Sequence, residues 1–544
     1  SLYAVPREIR ENPAAEDTLL KLIDIDREEF RRRLGRIRNN RWTPVRILRD
    51  VHFRTYAAIE ERKVHMPGVL FLIEPKRAYR YRLAAHTLGH IGELKEEEAN
   101  RYEDLEAGDV VGLAGVEKTW NDALMGKKGY NYMEVDAHGR TVGPLPNADP
   151  IPPQPGSDLL LTLDLELQQY CEDLMHEKVG SIVAIEPATG EVLAIVSKPD
   201  YPPETFANVL STEEWRTLQE DPDTPLLHRA VMGAYPPGSI FKMAVLAAGL
   251  QTNTVTLRSK VTCEGGYLLG NRWFNCWLKS GHGEVTHQGA IESSCDVYFY
   301  LLGREMGVDA FHEQISRFRF GQRTGIDLPT ESAGLLPDRD YFNRRYGKNW
   351  TDGLLFNIAI GQGEVLTTPL QAAAYTAALA NGGWWYEPHL VHKVHHIDGR
   401  EEQPEYAVRH DAGFDADIME VVREDMLRVT EGAIGTAAWL YDPRIHVPGK
   451  TGTAQTPHGD DHAWFVAFAP YEEPEIAVAV LVEHGEHGST AAAPLAFKTI
   501  RKWLGLDEGW WRAYRAKVLM EIQRQRAEAD SIAAADPELG GQVE

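Results

Sequence analysis

The sequence predicts an α+β fold in which an antiparallel sheet is flanked by helices, preceded by a smaller N-terminal α+β domain. Three observations lead there: a proline-rich stretch divides the chain, two apolar hairpins stand far apart in the part that follows it, and the residues between those hairpins have mainly helical periodicity. At 544 residues the chain exceeds one ordinary core, and a 43% hydrophobic content is that of a protein folded through most of its length.

Residues 1–142 mix charged helical segments with strand-like pieces. Asp24–Ile37 reads as one charged helix and Glu93–Leu105 as another. Nothing in this region has catalytic spacing, so it reads as a positioning or partner-binding module. Gly143-Pro144-Leu145-Pro146 through Pro150, Pro152, Pro153 and Pro155 cannot be helix, and 143–157 reads as an extended linker. Residues 158–508 make the larger domain. It begins with the apolar run Asp158–Leu163 and an amphipathic helix around Leu165–Met175, on which Cys171 is a packing residue. Ser181–Glu186 and Glu191–Ser197, joined by Pro187-Ala188-Thr189-Gly190, form the first hairpin; Trp464–Ala469 and Ile476–Glu483 form the second. Met243–Leu250 and Leu370–Leu379 are helical segments between them. Residues 509–544 read as a charged helix whose end frays from Ala534 onward.

A net charge of −24 without any strongly basic run argues against nucleic acid as a partner, because phosphate backbones demand concentrated Lys and Arg. No apolar stretch approaches the roughly 18–20 residues that span a bilayer; Val69–Ile73 and Ile476–Val482 are strand-length. The chain opens at Ser1-Leu2-Tyr3 with no signal peptide, as a trimmed or processed form does. Four cysteines do not make a disulfide scaffold.

Three short segments carry chemistry. In Pro236-Pro237-Gly238-Ser239-Ile240-Phe241-Lys242, an extended stretch ends and an apolar helix begins, which puts Ser239 in a first helical turn. Lys242, three residues on, shares its face and reaches its hydroxyl. A serine becomes a nucleophile only when a base takes its proton, and lysine serves as that base only when burial or a nearby cation lowers its pKa. Val447-Pro448-Gly449-Lys450-Thr451-Gly452-Thr453 reads as a strand edge that a ligand can approach closely. Lys450 supplies a cation there, Thr451 and Thr453 supply hydroxyls, and Gly452 leaves room. In Ser293-Ser294-Cys295-Asp296, Ser294 and Asp296 face one side and Cys295 the other. Each segment alone has a plain structural reading, as an ordinary helix start or a glycine turn. Their order changes that, because Ser-x-x-Lys, Ser-Asp-Asn and Lys-Thr-Gly follow one another in penicillin-binding proteins and class A β-lactamases.

Beyond the triplets, Tyr235-Pro236-Pro237-Gly238-Ser239, Gly361-Gln362-Gly363, Pro448-Gly449-Lys450-Thr451-Gly452-Thr453 and the hairpin Ala184-Ile185-Glu186-Pro187 to Gly190-Glu191-Val192-Leu193-Ala194 resemble the class B penicillin-binding proteins, most closely their elongation type. The likeness covers residues 157–505; Gly115-Val116-Glu117 and Glu134-Val135-Asp136 extend it more loosely into the pedestal of that class. It implies the penicillin-binding transpeptidase fold and cross-linking of peptidoglycan stem peptides that end in D-Ala-D-Ala, with inhibition by β-lactams. By the same likeness Ser239 attacks the penultimate D-Ala carbonyl and Lys242 is the general base. Ser294 relays a proton to the leaving amine, and the N–H groups of Ser239 and Thr453 form the oxyanion hole. Lys450, Thr451, Gly452 and Thr453 hold the terminal carboxylate. One residue departs from the pattern: the second motif ordinarily ends in Asn, and Asp296 accepts hydrogen bonds but donates none when ionised.

Cys263, Cys276, His282 and Cys295, separated by 13, 6 and 13 residues, suit a closed tetrahedral zinc site. One disulfide with a spare thiol is the competing reading, and His287 competes with His282, which the glycines on either side of His282 favour. The resemblance adds zinc-binding members with a site beside the active centre. Because Cys295 is the middle residue of the second motif, a metal held there fixes Ser294 and Asp296. The resemblance also implies a single-pass inner-membrane anchor outside this chain, an extracytoplasmic catalytic domain, a SEDS glycosyltransferase partner (RodA) and an MreC-type scaffold. The alternatives are a division-specific paralogue, a β-lactamase or a β-lactam sensor. A pedestal of about 140 residues argues against the lactamase, and no signalling domain supports a sensor.

Overall fold

The computed structural model describes residues 1–35, 42–74, 76–94, 97, 105, 108–137, 141–206, 212–406, 409–456 and 459–535. In the N-terminal region, β1 (Leu2–Ala4) lies between helix-flanked partners. Helix α1 (Arg27–Leu34) starts where the Asp26 carboxylate caps Glu29 N–H, and it carries Glu28 and Glu29 in its first turn and Arg31, Arg32 and Arg33 in its last, complementing the helix dipole. This is the charged helix expected over Asp24–Ile37, shorter at both ends. Strands β2 (Val45–Leu48) and β3 (Val69–Phe71) pair on either side of β1. Leu2, Ile9, Leu19, Phe30 and Ile47 form a small core of their own there. Most of the helix expected over Glu93–Leu105 lies outside the described residues, and Glu93 itself closes a strand, Ile91–Glu93.

The proline-rich stretch is extended, but it does not hang free. Gln154 and Ile151 pair antiparallel with Lys127 and Tyr130, so the segment folds back along the pedestal. Two further contacts tie the halves together: Ala84 N–H donates to the buried Glu172 carboxylate (2.6 Å), and Trp120 Nε1 donates to Asp327 (3.1 Å).

In the larger domain, helix α2 (Leu165–Leu174) is capped by Asp164 and buries Cys171. Strands β4 (Gly180–Ile185) and β5 (Val192–Lys198) form the first expected hairpin. Helix α3 (Lys242–Gln251) is buried all round, as befits a central helix. Two small hairpin-like sheets follow: β6 (Val261–Cys263) with β9 (Gly283–Val285), and β7 (Gly266–Leu269) with β8 (Arg272–Asn275). Helix α4 (His287–Glu292) leads through the second motif into α5 (Asp296–Ser316), which breaks at Gly307. Helix α6 (Pro369–Ala380) opens with a Thr368–Gln371 capping box and Pro369 in its first turn. Helix α7 (Ala416–Glu431) precedes β10 (Gly449–Ala454). Strands β11 (His462–Ala469) and β12 (Ile476–Val482) are the second expected hairpin.

β12 pairs antiparallel with β4 and so joins the two distant hairpins into one sheet of order β5-β4-β12-β11-β10. Every residue of β12 is buried, with α6 and α8 (Ala493–Trp503) packed against it, while α2 covers the neighbouring β5. The sheet ends at β10, whose outer edge is left for the site. Past Gly509 the chain is helical as expected, in α9 (Glu508–Ala535); the remainder of the frayed end lies outside the described residues. Among the described residues no helix is long and apolar enough to cross a membrane.

Candidate active site

Ser239 occupies a single 3₁₀ turn, Gly238–Phe241, that runs directly into α3. Residues three apart eclipse in such a turn, so Lys242 stands over Ser239. The turn lies against β10 at backbone distance. A Cβ on Gly238 (φ 58°) would sit 2.5 Å from the Thr453 carbonyl oxygen, and one on Gly361 would sit 2.2 Å from the Gly238 carbonyl. Gly238 N–H donates to the Gly361 carbonyl at 2.8 Å, so three chain segments are locked by main-chain contact.

Ser294 arrives from the opposite side, between α4 and α5, with φ at 58°, a conformation residues with side chains rarely adopt. Its hydroxyl receives hydrogen bonds from Lys242 Nζ (3.3 Å) and Lys450 Nζ (3.0 Å). Lys242 Nζ also donates to the Ser294 carbonyl (2.9 Å) and to Asp296 Oδ1 (2.7 Å), and Lys450 Nζ donates to the Thr451 carbonyl (3.1 Å). Both ammonium groups are fully buried. The motif spacing puts the Ser239 hydroxyl within reach of Lys242, yet none of the three Lys242 hydrogen bonds goes to it. The hydroxyl held between two lysines is that of Ser294, because a charge-assisted bond to Asp296 draws Lys242 toward the second motif.

The lysines are not equivalent. Among the described residues, Lys242 has a carboxylate partner and Lys450 has none. Burial, and then the Lys242 charge, hold the Lys450 pKa well below the ordinary lysine range, with Asp296 opposing. Asp296 turns both oxygens to protein donors, Oδ1 to Lys242 and Oδ2 to the Trp277 N–H (3.0 Å). An acceptor-only side chain suits that position, because both partners donate and an amide would set its NH2 against either the ammonium or the Trp277 N–H.

The thiols of Cys263, Cys276 and Cys295 and the His282 imidazole converge, their ligand atoms all lying within 4.8 Å of one another. His282 Nδ1 is 3.6 Å from the sulfurs of both Cys263 and Cys276. A tetrahedral zinc with sulfur and nitrogen ligands has N···S edges of about 3.5 Å, so the residues fit the ion. All three cysteines are buried and free, and no disulfide joins them. His287 faces elsewhere, its Nδ1 2.6 Å from the buried Asp425. The Asp296 N–H donates to Cys276 Sγ (3.4 Å), which couples the cluster to the catalytic pair.

On β10, the Thr451 hydroxyl meets that of Thr436 at 2.7 Å. Thr436 N–H donates to the Glu292 carbonyl (3.3 Å) and Ile434 N–H to the Glu292 carboxylate (3.1 Å), so the loop after α7 links the second and third motifs. Neither Thr436 nor Trp277 stood out in the sequence. The glycine-bracketed run Gly432-Ala433-Ile434-Gly435 before Thr436 was the available signal.

A buried helix start carrying a serine, a glycine-lined strand edge and two lysines sharing one hydroxyl define a serine acyl-transfer site of the transpeptidase class. The family model "Penicillin binding protein transpeptidase domain" matches residues 180–501, and that for the "Penicillin-binding Protein dimerisation domain" matches residues 1–161. The chain is 35% identical to the peptidoglycan D,D-transpeptidase MrdA of Acinetobacter baumannii, over 90% of this chain and 75% of that one. It is 31% identical to MrdA of Escherichia coli, over 87% and 78% respectively. Among solved structures it is similar to Pseudomonas aeruginosa PBP2 in complex with WCK 5153, at 37% identity and TM-score 0.71, covering 80% of this chain and 91% of that one. It is also similar to Helicobacter pylori PBP2 in complex with MreC, at 29% identity and TM-score 0.80, covering 93% and 94%. The chain belongs to the class B penicillin-binding proteins, in their penicillin-binding protein 2 group.

Proposed function

We propose that this chain is a serine D,D-transpeptidase that cross-links peptidoglycan stem peptides during elongation, and that its base is recruited through Ser294. The observation that carries this reading is the Ser294 hydroxyl, bonded by Lys450 at 3.0 Å and Lys242 at 3.3 Å. Lys450, which burial and the Lys242 charge hold well below the ordinary lysine range, gives up its proton readily. A neutral Lys450 takes the Ser294 proton while Ser294 takes one from Lys242. The vacancy thereby moves to Lys242, above Ser239. Lys242 then removes the Ser239 proton as Oγ bonds to the penultimate D-Ala carbonyl carbon. The tetrahedral oxyanion is held by the N–H groups of Ser239 and Thr453. The bond to the terminal D-Ala breaks, and its nitrogen receives that proton through Ser294. An amine of a neighbouring stem peptide then attacks the ester and frees Ser239. Lys450, Thr451 and Thr453 receive the terminal carboxylate, with Thr436 steadying Thr451.

Zinc is the ion for Cys263, Cys276, His282 and Cys295; with four protein ligands it supplies structure, not a reactive water. An inner-membrane anchor outside this chain and an extracytoplasmic catalytic domain fit this role. The likeness to Helicobacter pylori PBP2 in complex with MreC and to a peptidoglycan synthase complex supports an MreC-type scaffold and a SEDS glycosyltransferase such as RodA as partners. Intact mass after incubation with benzylpenicillin tests the activity. One penicilloyl adduct mapping to Ser239, lost in Ser239→Ala, is expected; an adduct elsewhere or none would refute the reading.

A further inference from the structure

The outer edge of β10 is where an extended peptide would add, yet part of that edge is already taken. In β10 the Pro448 carbonyl bonds to Phe468 N–H on the β11 side, so alternate residues Thr451, Thr453 and Gln455 point N–H and C=O to the open side. Gln362, in the loop that follows Gly361, is bonded twice there. Its Nε2 donates to the Thr453 carbonyl (2.8 Å), and its Oε1 accepts from Gln455 N–H (3.2 Å). One carboxamide thus reproduces the acceptor and donor of a neighbouring strand's peptide group. The backbone beside it is fixed in turn: Gln362 N–H donates to the Asn357 carbonyl (2.9 Å), and the Gly361 carbonyl accepts from Gly238 N–H (2.8 Å). A Cβ at Gly238 would lie 3.2 Å from the Thr453 nitrogen, so that N–H opens beside the Ser239 turn.

We propose that Gln362 is a positioning residue that acts as a one-residue strand on the free edge of β10. It holds the Thr453 peptide so that its N–H meets the acyl oxygen on Ser239, and it stops an incoming peptide donor in register at Thr453. This rests on the transpeptidase reading above. Without Gln362 the end of β10 has no partner on that side, and strand ends without a partner fray. A misaimed Thr453 N–H weakens one oxyanion donor while leaving the nucleophile and both lysines in place.

The test follows acylation by a fluorescent penicillin in the wild type, Gln362→Ala and Gln362→Glu, with melting curves for each. Gln362→Ala should slow acylation about 10–100-fold, less than outright loss of an oxyanion donor. Gln362→Glu keeps the acceptor for Gln455 but loses the donor to Thr453, and should slow it comparably. In both, the infrared ester band of the acyl-enzyme should move to higher wavenumber, which loss of packing alone would not cause. If Gln362→Ala fails to fold, the isosteric Gln362→Glu decides on the same two readouts. A folded variant with wild-type rate and an unshifted band overturns the proposal. Failure of the underlying reading looks different, since the wild type itself would then form no adduct at Ser239.

Discussion

The two walls of the site are held by different physics. On one side, the Ser239 turn, Gly361 and β10 touch through backbone, and β10 closes a sheet whose strands β11 and β12 are almost wholly buried. On the other, residues 261–285 make two small two-stranded sheets whose strands bury about one residue in three or four, while Leu268, Trp273 and Trp277 stand about half exposed. A pair of strands cannot sustain itself on so little apolar burial. Three thiols and an imidazole stand where a core would be, and a metal joining them would replace packing with coordination. Ser294 and Asp296, at the buried junction of α4 and α5, lean on this lightly packed wall through Trp277 and Cys276, whereas Ser239 and Lys450 belong to the dense one. Catalytic alignment is therefore only as firm as the weaker wall.

The largest effect should come from keeping the buried charge on the dense wall while removing its ability to lose a proton. Lys450→Arg keeps a buried cation but cannot lose its proton near neutrality, so the vacancy that passes through Ser294 never forms. Penicillin acylation should fall about 10²–10⁴-fold, the usual contribution of general acid–base catalysis. The sign of the pH dependence follows from the lowered Lys450 pKa: neutral Lys450 accumulates as pH climbs through it. Wild-type acylation should accordingly rise with pH to a plateau reached well below the ordinary lysine value, and Lys450→Arg should lack that rise. A variant retaining both the rate and the rising limb would assign the vacancy to Lys242 alone.

Next comes the wall that holds the thiol cluster. Treatment with a strong chelator should slow acylation about 10–100-fold, the usual consequence of loosening the groups around a metal. It should also lower the melting temperature and make Cys263, Cys276 and Cys295 reactive to Ellman's reagent, while the buried Cys171 stays inert. Added zinc should restore all three properties. Unchanged melting and thiol reactivity would mean that the wall stands without coordination.

The same contrast governs what the sequence could disclose. The dense wall was legible because its signals are periodic or local: alternating β-branched runs around Gly190, an apolar helix after Pro236-Pro237, and glycines where backbones touch. The cluster was legible as a set of residue types, since soft ligands are few, although spacing alone left His282 and His287 in competition; the nearness of Asp425 to His287 is a tertiary fact. Family likeness assigns Ser294 a proton relay, but the placement of its hydroxyl between Lys242 and Lys450 was hidden. It depends on a left-handed backbone at one serine and on a carboxylate that pulls Lys242 away from Ser239, neither of which spacing encodes. Gln362 was legible only as part of the family-like Gly361-Gln362-Gly363, and its two bonds across more than ninety residues, like the bond of Thr436 to Thr451 fifteen residues on, leave no spacing to read. The proline-rich stretch misled in one respect: lacking helical potential, it reads as a free linker, but extended chain is also what pairs with Lys127 and Tyr130.

The smallest effect should separate the two devices that Trp277 supplies to the lightly packed wall. Its backbone N–H binds Asp296 Oδ2, and its indole Nε1 donates to the Ser293 carbonyl at 3.0 Å. Only the second depends on the side chain. Trp277→Phe removes one neutral hydrogen bond at a half-exposed position, worth about 1 kcal/mol, and leaves the Asp296 contact in place. With zinc bound, acylation should therefore slow by no more than about fivefold, the kinetic equivalent of that energy. After chelation fewer tethers join the loop around Cys276 to the second motif, the indole bond among them, so the same substitution should cost more in the metal-free protein than in the metal-loaded one. Measuring acylation for both proteins in both states closes a thermodynamic cycle. A coupling near zero would show that Trp277 and the cluster brace Ser294 independently, whereas a positive one would make them alternative supports of a single weak wall.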